Sequence, residues 1–285
     1  MNILENYTNY LVAQGLSFNT RKVYVSEFKS YINYFKRSDI RYISRDNIIS
    51  YLRYLFDQGY SSGKVNQAIN AIKFYKERVL REKRQTYFFK RPKQVKYLPN
   101  IISQIKMRDM IFSIPNTKHR AIIFVLYDNG LRVSELINLR IMDVRTKCEH
   151  PHLIIRDSKG GKNRILPLSD ECIEIIRCYY LEYKPKEYLF CGINGSYSKT
   201  SISKILKSAC AKNEIKGRFR VHDLRHNFAT HCLVNGTNIY HLSKYLGHKS
   251  VRTTEQTYAH LLPQNLEIKR CYLMSNAIEL HKFVS

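Results

Sequence analysis

The sequence is poor in acidic side chains. Its 285 residues include 23 Asp and Glu against 48 Lys and Arg, which gives a formal charge of +25. So large an excess repels itself in a compact fold, and a polyanionic partner relieves that repulsion. Residues 1–95 carry 18 basic and 7 acidic side chains, and residues 96–285 carry 30 and 16, so both halves are expected to contact phosphate. On charge alone, a generic RNA-binding or ribosome-associated protein is an alternative.

Several other features are absent. No apolar run approaches 18 residues, so no membrane-spanning helix is expected. The seven cysteines form no CxxC pair, as is typical of reduced thiols in the cytosol, and Met1–Asn6 lacks the basic and apolar regions of a secretion signal. There is no GxxxxGK(S/T) loop and no carboxylate cluster suited to two metal ions. We therefore expect a cytoplasmic location, no membrane contact, and chemistry without metal, nucleotide or other cofactor.

The N-terminal third has the apolar spacing of helices. Such spacing recurs in four segments, covering residues 2–14 and then beginning near Ser17, Ser44 and Ser61 or Ser62, whose hydroxyls can cap them. In the third helix, Phe56 falls on the apolar face. Because helical spacing alone accounts for the aromatic side chains, we interpret them mostly as core and not as platforms for bases. The pattern predicts a small helical bundle over residues 1–95.

A basic linker is predicted after the bundle. The stretch from Lys76 to Lys96 holds nine basic residues, and Pro92 and Pro99 break its helical periodicity. A charge run is usually only a solvated face, but this one joins two basic domains and suits contact with a DNA backbone. The DNA-binding residues predicted here are Arg81, Lys83, Arg84, Lys90, Arg91, Lys93 and Lys96.

The remainder of the chain has a mixed pattern. Helices are predicted at residues 103–113, 117–129, 132–140, 169–183, 200–213, 222–235 and 238–246. Two short strands, 153–156 and 164–168, flank the turn signal Gly160-Gly161 and predict a hairpin. The fold class is therefore mainly α with a small β component. Because 285 residues exceed a usual single core, we predict domains at 1–95 and 96–270, followed by a tail at 271–285.

Five short sequence blocks, all after residue 96, contain the residues that could catalyse a reaction at phosphate. They are Gly130-Leu131-Arg132-Val133-Ser134-Glu135-Leu136, Ser158-Lys159-Gly160-Gly161-Lys162, His222-Asp223-Leu224-Arg225-His226, Leu246-Gly247-His248 and Thr257-Tyr258-Ala259-His260. Two arginines, a lysine, two histidines and a late tyrosine in this order resemble the active site of the tyrosine recombinases. That family, which includes phage integrases and Xer-type recombinases, cuts and rejoins DNA through a phosphotyrosine.

The residue types suit phosphodiester exchange. Charge builds on the nonbridging oxygens in the transition state, and the planar forks of Arg132 and Arg225 can bind two oxygens each without losing their charge. The Tyr258 hydroxyl can form a stable ester, and Lys159 on a hairpin turn can protonate the leaving 5′-oxygen. His222 and Arg225, three residues apart on a helix, project from the same face.

The resemblance implies a role for each matching position. Arg132 and Arg225 would bind phosphate, His222 and His248 would be the two histidines, and Tyr258 the nucleophile. Lys159 would be the hairpin lysine, with Lys162 as its competitor, and Glu135 would support the site. The N-terminal bundle would be a SAM-like core-binding domain, opened by the motif Ser17-Phe18-Asn19-Thr20, and the rest a mixed α/β catalytic domain.

The resemblance also implies partners. The Xer-like reaction passes through a 3′-phosphotyrosyl intermediate and a Holliday junction, on double-stranded DNA carrying inverted-repeat recombination sites. Strand exchange would need a homotetramer on DNA, with the tail at 271–285 packing into the next protomer, and leaves room for an accessory protein. The location implied is the nucleoid within the cytoplasm.

Each signal has a plainer interpretation on its own. Arg132 could be a surface arginine, Tyr258 one more buried tyrosine among 22, and Lys159 an ordinary residue of a glycine turn. His222 and His226 have the spacing of a metal pair, but no third ligand supports one. For the whole chain, the alternatives are a type IB topoisomerase and a DNA-binding accessory protein without catalysis.

One spacing departs from the family pattern. Tyr258 lies ten positions after His248, one position more than in most family members. In an unbroken helix one residue rotates a side chain by about 100°. We therefore expect a bulge or turn near Arg252-Thr253-Thr254 to absorb the extra residue. Tyr245 lies too close to His248 to replace Tyr258 and is interpreted as core.

Overall fold

A computed structural model describes residues 3–35, 43–83, 99–158, 162–192, 195–248 and 250–258. The chain divides into two compact units, Met1–Tyr97 and Leu98–Ser285. Helices predominate and strands are few, which confirms the predicted fold class. No helix in the described ranges is both long and apolar enough to cross a membrane. The turn at 159–161, including Lys159, and the tail at 271–285 lie outside the described residues.

In its described part, the first unit is a bundle of four α-helices, as predicted. They are α1 Ile3–Ala13, α2 Phe18–Phe35, α3 Arg45–Asp57 and α4 Ser62–Phe74. Ser44 and Ser61 cap α3 and α4, because their side chains accept from the backbone N–H groups of Asn47 and Lys64. The Ser17 hydroxyl likewise accepts from the N–H of Thr20 at the start of α2.

Aromatic side chains fill the core of this bundle. Tyr7, Phe28, Tyr31 and Tyr51 are almost completely buried, which confirms their interpretation as core. The Tyr7 hydroxyl donates to the carbonyl of Ala71 over 2.9 Å, so its polar end is satisfied as well.

One predicted core position is wrong. Phe56 is 51% exposed. It follows the buried Leu55 by one residue and therefore points about 100° away from it, past the edge of the buried stripe of α3.

The helical region extends further than the sequence predicted. A π-helical turn, Tyr75–Val79, continues α4 into the segment predicted as linker. Lys76 is buried in it, donates to the carbonyl of Ile43 and pairs with Glu82 at 3.0 Å, so it belongs to the bundle. Among the predicted DNA-binding residues, Arg81 and Lys83 are exposed, whereas Arg84, Lys90, Arg91, Lys93 and Lys96 lie outside the described residues.

The second unit contains eight further helices in its described part. They are α5 Gln104–Phe112, α6 Thr117–Asp128, α7 Val133–Ile137, α8 Asp170–Tyr183, α9 Lys199–Lys212, α10 Val221–Val234, α11 Ile239–Leu246 and α12 Val251–Tyr258. The helix predicted at 132–140 is shorter than expected, because α7 ends at Ile137 and a 3₁₀ turn, Ile141–Asp143, follows separately.

A three-stranded antiparallel sheet joins these helices. Its strands are β1 Val144–Arg145, β2 His152–Ser158 and β3 Lys162–Pro167, in that order across the sheet. The predicted hairpin is confirmed as β2 and β3, with Leu153 opposite Leu166 and both buried. A smaller pair, β4 Cys191–Gly192 and β5 Gly195–Ser196, was not predicted. Two-residue strands are too short to show any alternation.

Helix α6 lies at the centre of the second unit. Six consecutive residues, from Ala121 to Leu126, are buried, and the helix packs against α8, α9 and α10. A smaller apolar cluster joins α10, α11 and α12 through Ala229, Leu233, Leu242, Leu246 and Tyr258. These two cores position the loop before α7, helix α10 and helix α12, which carry the candidate site.

Candidate active site

A glycine turn brings the loop before α7 to α10. Gly130 has φ +54°, a left-handed conformation that favours glycine, and a Cβ here would lie 2.5 Å from Cδ1 of Phe228. Its carbonyl accepts from Nη1 of Arg225 at 2.8 Å. Gly130 thus allows the close approach that places Arg132, two residues later, beside Arg225.

Glu135 is the centre of an arginine cluster. Its carboxylate accepts from the backbone N–H of Arg132 at 2.9 Å and from Nη1 of the same residue at 2.7 Å. Arg164 donates to both carboxylate oxygens, each at 2.9 Å, and Nη1 of Arg225 lies 4.0 Å away. Burial alone would raise the pKa of Glu135, but hydrogen bonds from Arg164 and Arg132 and their charge outweigh it and lower the pKa to about 2.

Arg164 was missed by the sequence analysis. It lies on β3, two residues after Lys162, and its Nε donates to the carbonyl of Tyr245 at 3.0 Å. It therefore ties the hairpin to α7 through Glu135 and to α11 through Tyr245. The only signal in the sequence was one more basic residue beside the lysine block, on a strand whose partners are distant in the chain.

Arg225 is almost completely enclosed. Its side chain is 3% exposed, and Nη2 donates to the carbonyl of Leu246 at 2.7 Å. Burial, and then the positive charge of Arg132, lower its pKa to about 10, so it stays protonated at neutral pH. Arg132 is 24% exposed and its Nη2 donates to the carbonyl of Gly247 at 3.2 Å. Both arginines are thus fixed by the same turn at the end of α11.

His248 follows that turn, and its two ring nitrogens have different partners. Nε2 lies 3.1 Å from Nη2 of Arg225, and Nδ1 lies 2.7 Å from Oγ1 of Thr254. Because a guanidinium can only donate, Nε2 must accept and Nδ1 carries the proton. Burial, and then the charge of Arg225, lower the pKa of His248 to about 4. Thr254 is the second partner that the sequence analysis missed.

Of the bulge or turn expected near Arg252-Thr253-Thr254, the structure shows a turn and not a bulge. Helix α12 runs unbroken from Val251 to Tyr258. Thr254 and Tyr258, four residues apart, share one buried face, so the helix needs no irregularity to place both. The turn lies at the start of the helix, where the N–H of Thr253 donates to the carbonyl of Ser250 at 3.1 Å. An extra residue can be absorbed at this turn without changing the spacing of Thr254 and Tyr258 within the helix.

Tyr258 is buried and bonded to a histidine. Its side chain is 3% exposed, and its hydroxyl lies 2.6 Å from Nδ1 of His226. Burial raises the pKa of Tyr258. Burial, and then the neighbouring His222, lower the pKa of His226 to about 4. The sequence analysis considered His226 only as half of a metal pair and missed this contact.

His222 completes the group of side chains. Its ring lies 4.7 Å from that of His226, nearly perpendicular to it, and desolvation followed by the charge of Arg225 lowers its pKa. No group of three or more His, Cys, Asp or Glu within the described ranges could hold a metal ion. Of the two candidate lysines, Lys162 begins β3 and Lys159 lies outside the described residues.

Two further side chains of α10 anchor the start of the second unit. Oδ1 of Asn227 accepts from the N–H of Ile102 at 2.9 Å, and its Nδ2 donates to the carbonyl of Asn100 at 2.8 Å. His231 lies 2.9 Å from the carbonyl of Ile102 through Nε2 and 2.8 Å from the Tyr127 hydroxyl through Nδ1. Helix α10 therefore carries the candidate site at one end and holds the entering chain at the other.

Comparison with known proteins gives one consistent result. The model of the phage integrase family matches residues 91–265, and that of the phage integrase N-terminal SAM-like domain matches residues 3–86. Tyrosine recombinase XerD of Staphylococcus epidermidis is 32% identical, over 95% of this chain and 97% of its own length.

Solved structures agree. The crystal structure of XerA recombinase is 28% identical, with a TM-score of 0.52, and the match covers 90% of this chain and 92% of that one. A lambda integrase dimer bound to a core site shares the fold, with a TM-score of 0.72 at 17% identity over 90% of this chain and 75% of that one. Because these relatives are recombinases and an integrase, they do not favour the alternative interpretations of this chain as a topoisomerase or a non-catalytic accessory protein. The chain belongs to the phage integrase family and is a Xer-like tyrosine recombinase.

Proposed function

We propose that this recombinase breaks and rejoins duplex DNA with Tyr258 as its nucleophile. Attack on the scissile phosphate leaves a 3′-phosphotyrosine and a free 5′-hydroxyl, and the 5′-hydroxyl of a partner strand resolves it through a Holliday junction. One observation carries the proposal. Arg132 and Arg225 donate to adjacent carbonyls of the turn at the end of α11, Arg225 also contacts His248, and α12, whose Thr254 bonds His248, ends at Tyr258.

The charge of the network suits a phosphate. Three guanidinium groups, those of Arg132, Arg164 and Arg225, surround the single carboxylate of Glu135, which leaves an excess of two positive charges. Hydrogen bonds to backbone carbonyls and to Glu135 hold these groups in place beforehand. Fixed cations of this kind stabilise the charge that develops on the nonbridging oxygens without reorganising during the reaction.

The two histidines take their role from the same charge. Burial, and then the positive charges of Arg225 and Arg132, lower the pKa of both His222 and His248. A bound phosphate offsets those charges and therefore raises both pKa values. We propose that His248 becomes a donor through Nε2 when DNA is bound, and that His222 donates from the preceding turn of α10.

The leaving 5′-oxygen requires a proton. We propose that Lys159, in the turn of the β2–β3 hairpin, supplies it, with Lys162 as the competing donor. Support comes from Arg164, because it fastens the same hairpin to Glu135 and hence to the arginine cluster.

The partners proposed are double-stranded DNA with inverted-repeat sites and three further copies of this chain. The formal charge of +25 and the exposed Arg81 and Lys83 support contact with a DNA backbone. XerH, another structural relative, is described as a site-specific recombinase bound to its difH substrate. We assign DNA binding to residues 1–95, catalysis to 96–270, and contact between protomers to the tail at 271–285. An accessory protein and association with the nucleoid are part of the same hypothesis.

The test uses a duplex selected from a random pool by covalent capture with the wild-type chain, then nicked so that cleavage cannot reverse. Tyr258→Phe should bind this duplex but form no covalent complex, because the attacking oxygen is gone. Tyr245→Phe is the matched control, a half-buried tyrosine of the same unit, and should still form the complex. Failure of the wild-type chain to capture any duplex, or a complex that persists in Tyr258→Phe, would contradict the proposal.

A further inference from the structure

His226 contacts the atom that would react. Its Nδ1 lies 2.6 Å from the Tyr258 hydroxyl, and the two rings are 5.7 Å apart. The contact joins α10 to α12 across 32 residues of sequence, and the tyrosine is 3% exposed. Among the described residues, Nδ1 of His226 is the hydrogen-bond partner of the Tyr258 hydroxyl. The imidazole of His226 is therefore placed to take the proton of the buried Tyr258 phenol.

We propose that His226 is a catalytic residue of strand cleavage: its Nδ1 positions the Tyr258 hydroxyl and accepts its proton as the oxygen attacks phosphorus. The inference rests on the proposed function, since it requires Tyr258 to be the nucleophile. Of the two histidines predicted for the site, His248 is bonded to Arg225 and Thr254, and the ring of His222 lies against His226. His226 is the histidine that contacts the Tyr258 hydroxyl.

The step balances without a further reactant. The O–H bond of Tyr258 breaks as an N–H bond forms at Nδ1 of His226, which becomes an imidazolium. The phenolic oxygen bonds to phosphorus, the bond from phosphorus to the 5′-oxygen breaks with its electron pair, and that oxygen takes a proton from the lysine general acid. When a 5′-hydroxyl later attacks the phosphotyrosine, its proton goes back to the now neutral lysine, and the imidazolium returns its own proton to the departing phenolic oxygen.

In the protein without DNA, the His226 ring is neutral and the Tyr258 hydroxyl keeps its proton. Burial lowers the pKa of His226 to about 4 and raises that of Tyr258, so the proton rests on the phenol and Nδ1 accepts. The charged and titratable groups around His226 are His222, Asp223, Arg225 and Arg220 on or just before α10, Tyr258 on α12, and His248 before α12. A bound phosphate offsets the cations among them and raises the pKa of His226. Tyr258 is therefore deprotonated only where a phosphate is present.

The first experiment replaces the base but keeps the hydrogen bond. In His226→Asn, the amide oxygen can accept from Tyr258 but cannot take a proton. Single-turnover cleavage of the selected, nicked duplex should fall on the order of 10²-fold or more. The loss of rate at acidic pH caused by protonation of His226 should disappear.

The second histidine–tyrosine pair of α10 provides the control. His231 contacts the Tyr127 hydroxyl at 2.8 Å, and neither residue belongs to the proposed site. His231→Asn should lower the melting temperature, because it loses its contact with Ile102, and leave the pH profile of cleavage unchanged.

Rescue separates a base from a structural contact. A fluorinated tyrosine at position 258 has a more acidic phenol and needs less help from a base. It should restore much of the rate in His226→Asn and none in Arg132→Ala. A cleavage rate in His226→Asn equal to or above the wild-type rate, with the adduct still at Tyr258, would overturn this inference alone. An adduct at another residue would overturn the proposed function.

The protonation state can be measured without DNA. Nitrogen NMR of the full-length chain, with His226 assigned by its Asn variant, should show a neutral ring protonated on Nε2. A proton on Nδ1, or a charged ring at neutral pH, would overturn the inference whatever the outcome of the cleavage assays.

Discussion

Arg132 and Arg225 carry the same charge in different surroundings. Arg225 is 3% exposed and donates to the carbonyls of Gly130 and Leu246, whereas Arg132 is 24% exposed and donates to one carbonyl, that of Gly247. A buried carbonyl left without its donor costs about 1–3 kcal/mol. Arg225 therefore supports the fold as well as the charge of the site, and Arg132 mainly the latter.

Alanine at each position should separate these contributions. Arg132→Ala and Arg225→Ala should each lower cleavage by on the order of 10²-fold or more, as the loss of a transition-state donor does. Binding to the duplex should fall far less, because many other basic residues contact the backbone. Arg225→Ala should also lower the melting temperature more than Arg132→Ala, because Arg225 is the more buried of the two and donates to two carbonyls. Equal losses of binding and cleavage in Arg132→Ala would indicate that it only positions the DNA.

At the scale of elements, the Glu135 cluster joins α7 to β3. Since its folded pKa of about 2 lies below the ordinary value of 4.5, Glu135 stabilises the fold above that ordinary value, and the contribution is lost as pH falls through about 2. A lowering of the pKa of this size corresponds to roughly 3 kcal/mol.

Denaturant unfolding between pH 6 and pH 2 tests this contribution. The wild-type chain should lose more stability than Glu135→Gln over that interval, because the variant has no carboxylate to protonate at this position. Glu174→Gln is the control, since Glu174 is exposed and pairs only with Arg177 on the surface of α8. Parallel curves for the wild-type chain and Glu135→Gln would show that the cluster does not stabilise the fold.

Helix α12 fixes His248 as well as Tyr258. Thr254→Val keeps the shape of the side chain but removes the acceptor of the Nδ1 proton, so His248 should lose its fixed orientation and cleavage should fall by about tenfold, the equivalent of roughly 1.4 kcal/mol. Thr253→Val, on the exposed face of the same helix, should cleave at the wild-type rate. Equal rates for both variants would mean that Thr254 does not position His248.

The sequence predicted the elements better than the contacts. Apolar periodicity located the bundle helices and most of the second unit, because each helix shows a stripe within its own residues. Arg164 and His226 contact residues that are distant in sequence, and Thr254 contacts His248 across the short loop before α12. Local sequence patterns do not predict such contacts. Counting residues to Tyr258 likewise could not decide between a bulge and a turn near Arg252-Thr253-Thr254, since the count does not show where the helix begins. The role of each site residue stays a prediction.

At the scale of the whole molecule, strand exchange needs four active sites at one synapse. The segment from Asn265 to Ser285 includes Leu266, Ile268, Leu273, Ile278, Leu280 and Phe283 in a partly amphipathic pattern. If this tail contacts the next protomer, as we propose, it is dispensable for the binding of one protomer to DNA. It is necessary for the assembly of four protomers.

Truncation after Leu266 should test that division. Binding to a single selected site should be unchanged in a gel-shift assay, whereas pairing of two sites and recombination between them should be lost. Size-exclusion chromatography with light scattering should show a monomer or weak oligomer without DNA, and a tetramer on paired sites only for the full chain. A truncated chain that recombines at the normal rate would exclude the tail as the coupling element.

The chemistry of the covalent complex tests the central claim most directly. The wild-type chain is trapped on the nicked duplex and digested with protease, and the DNA-linked peptide is sequenced by mass spectrometry while the free DNA end is tested for phosphorylation by a kinase. The account predicts a single peptide, joined through Tyr258 to a 3′-phosphate, and a 5′-end that accepts phosphate because it is a hydroxyl. A linkage through any other residue, or to a 5′-phosphate, would contradict it.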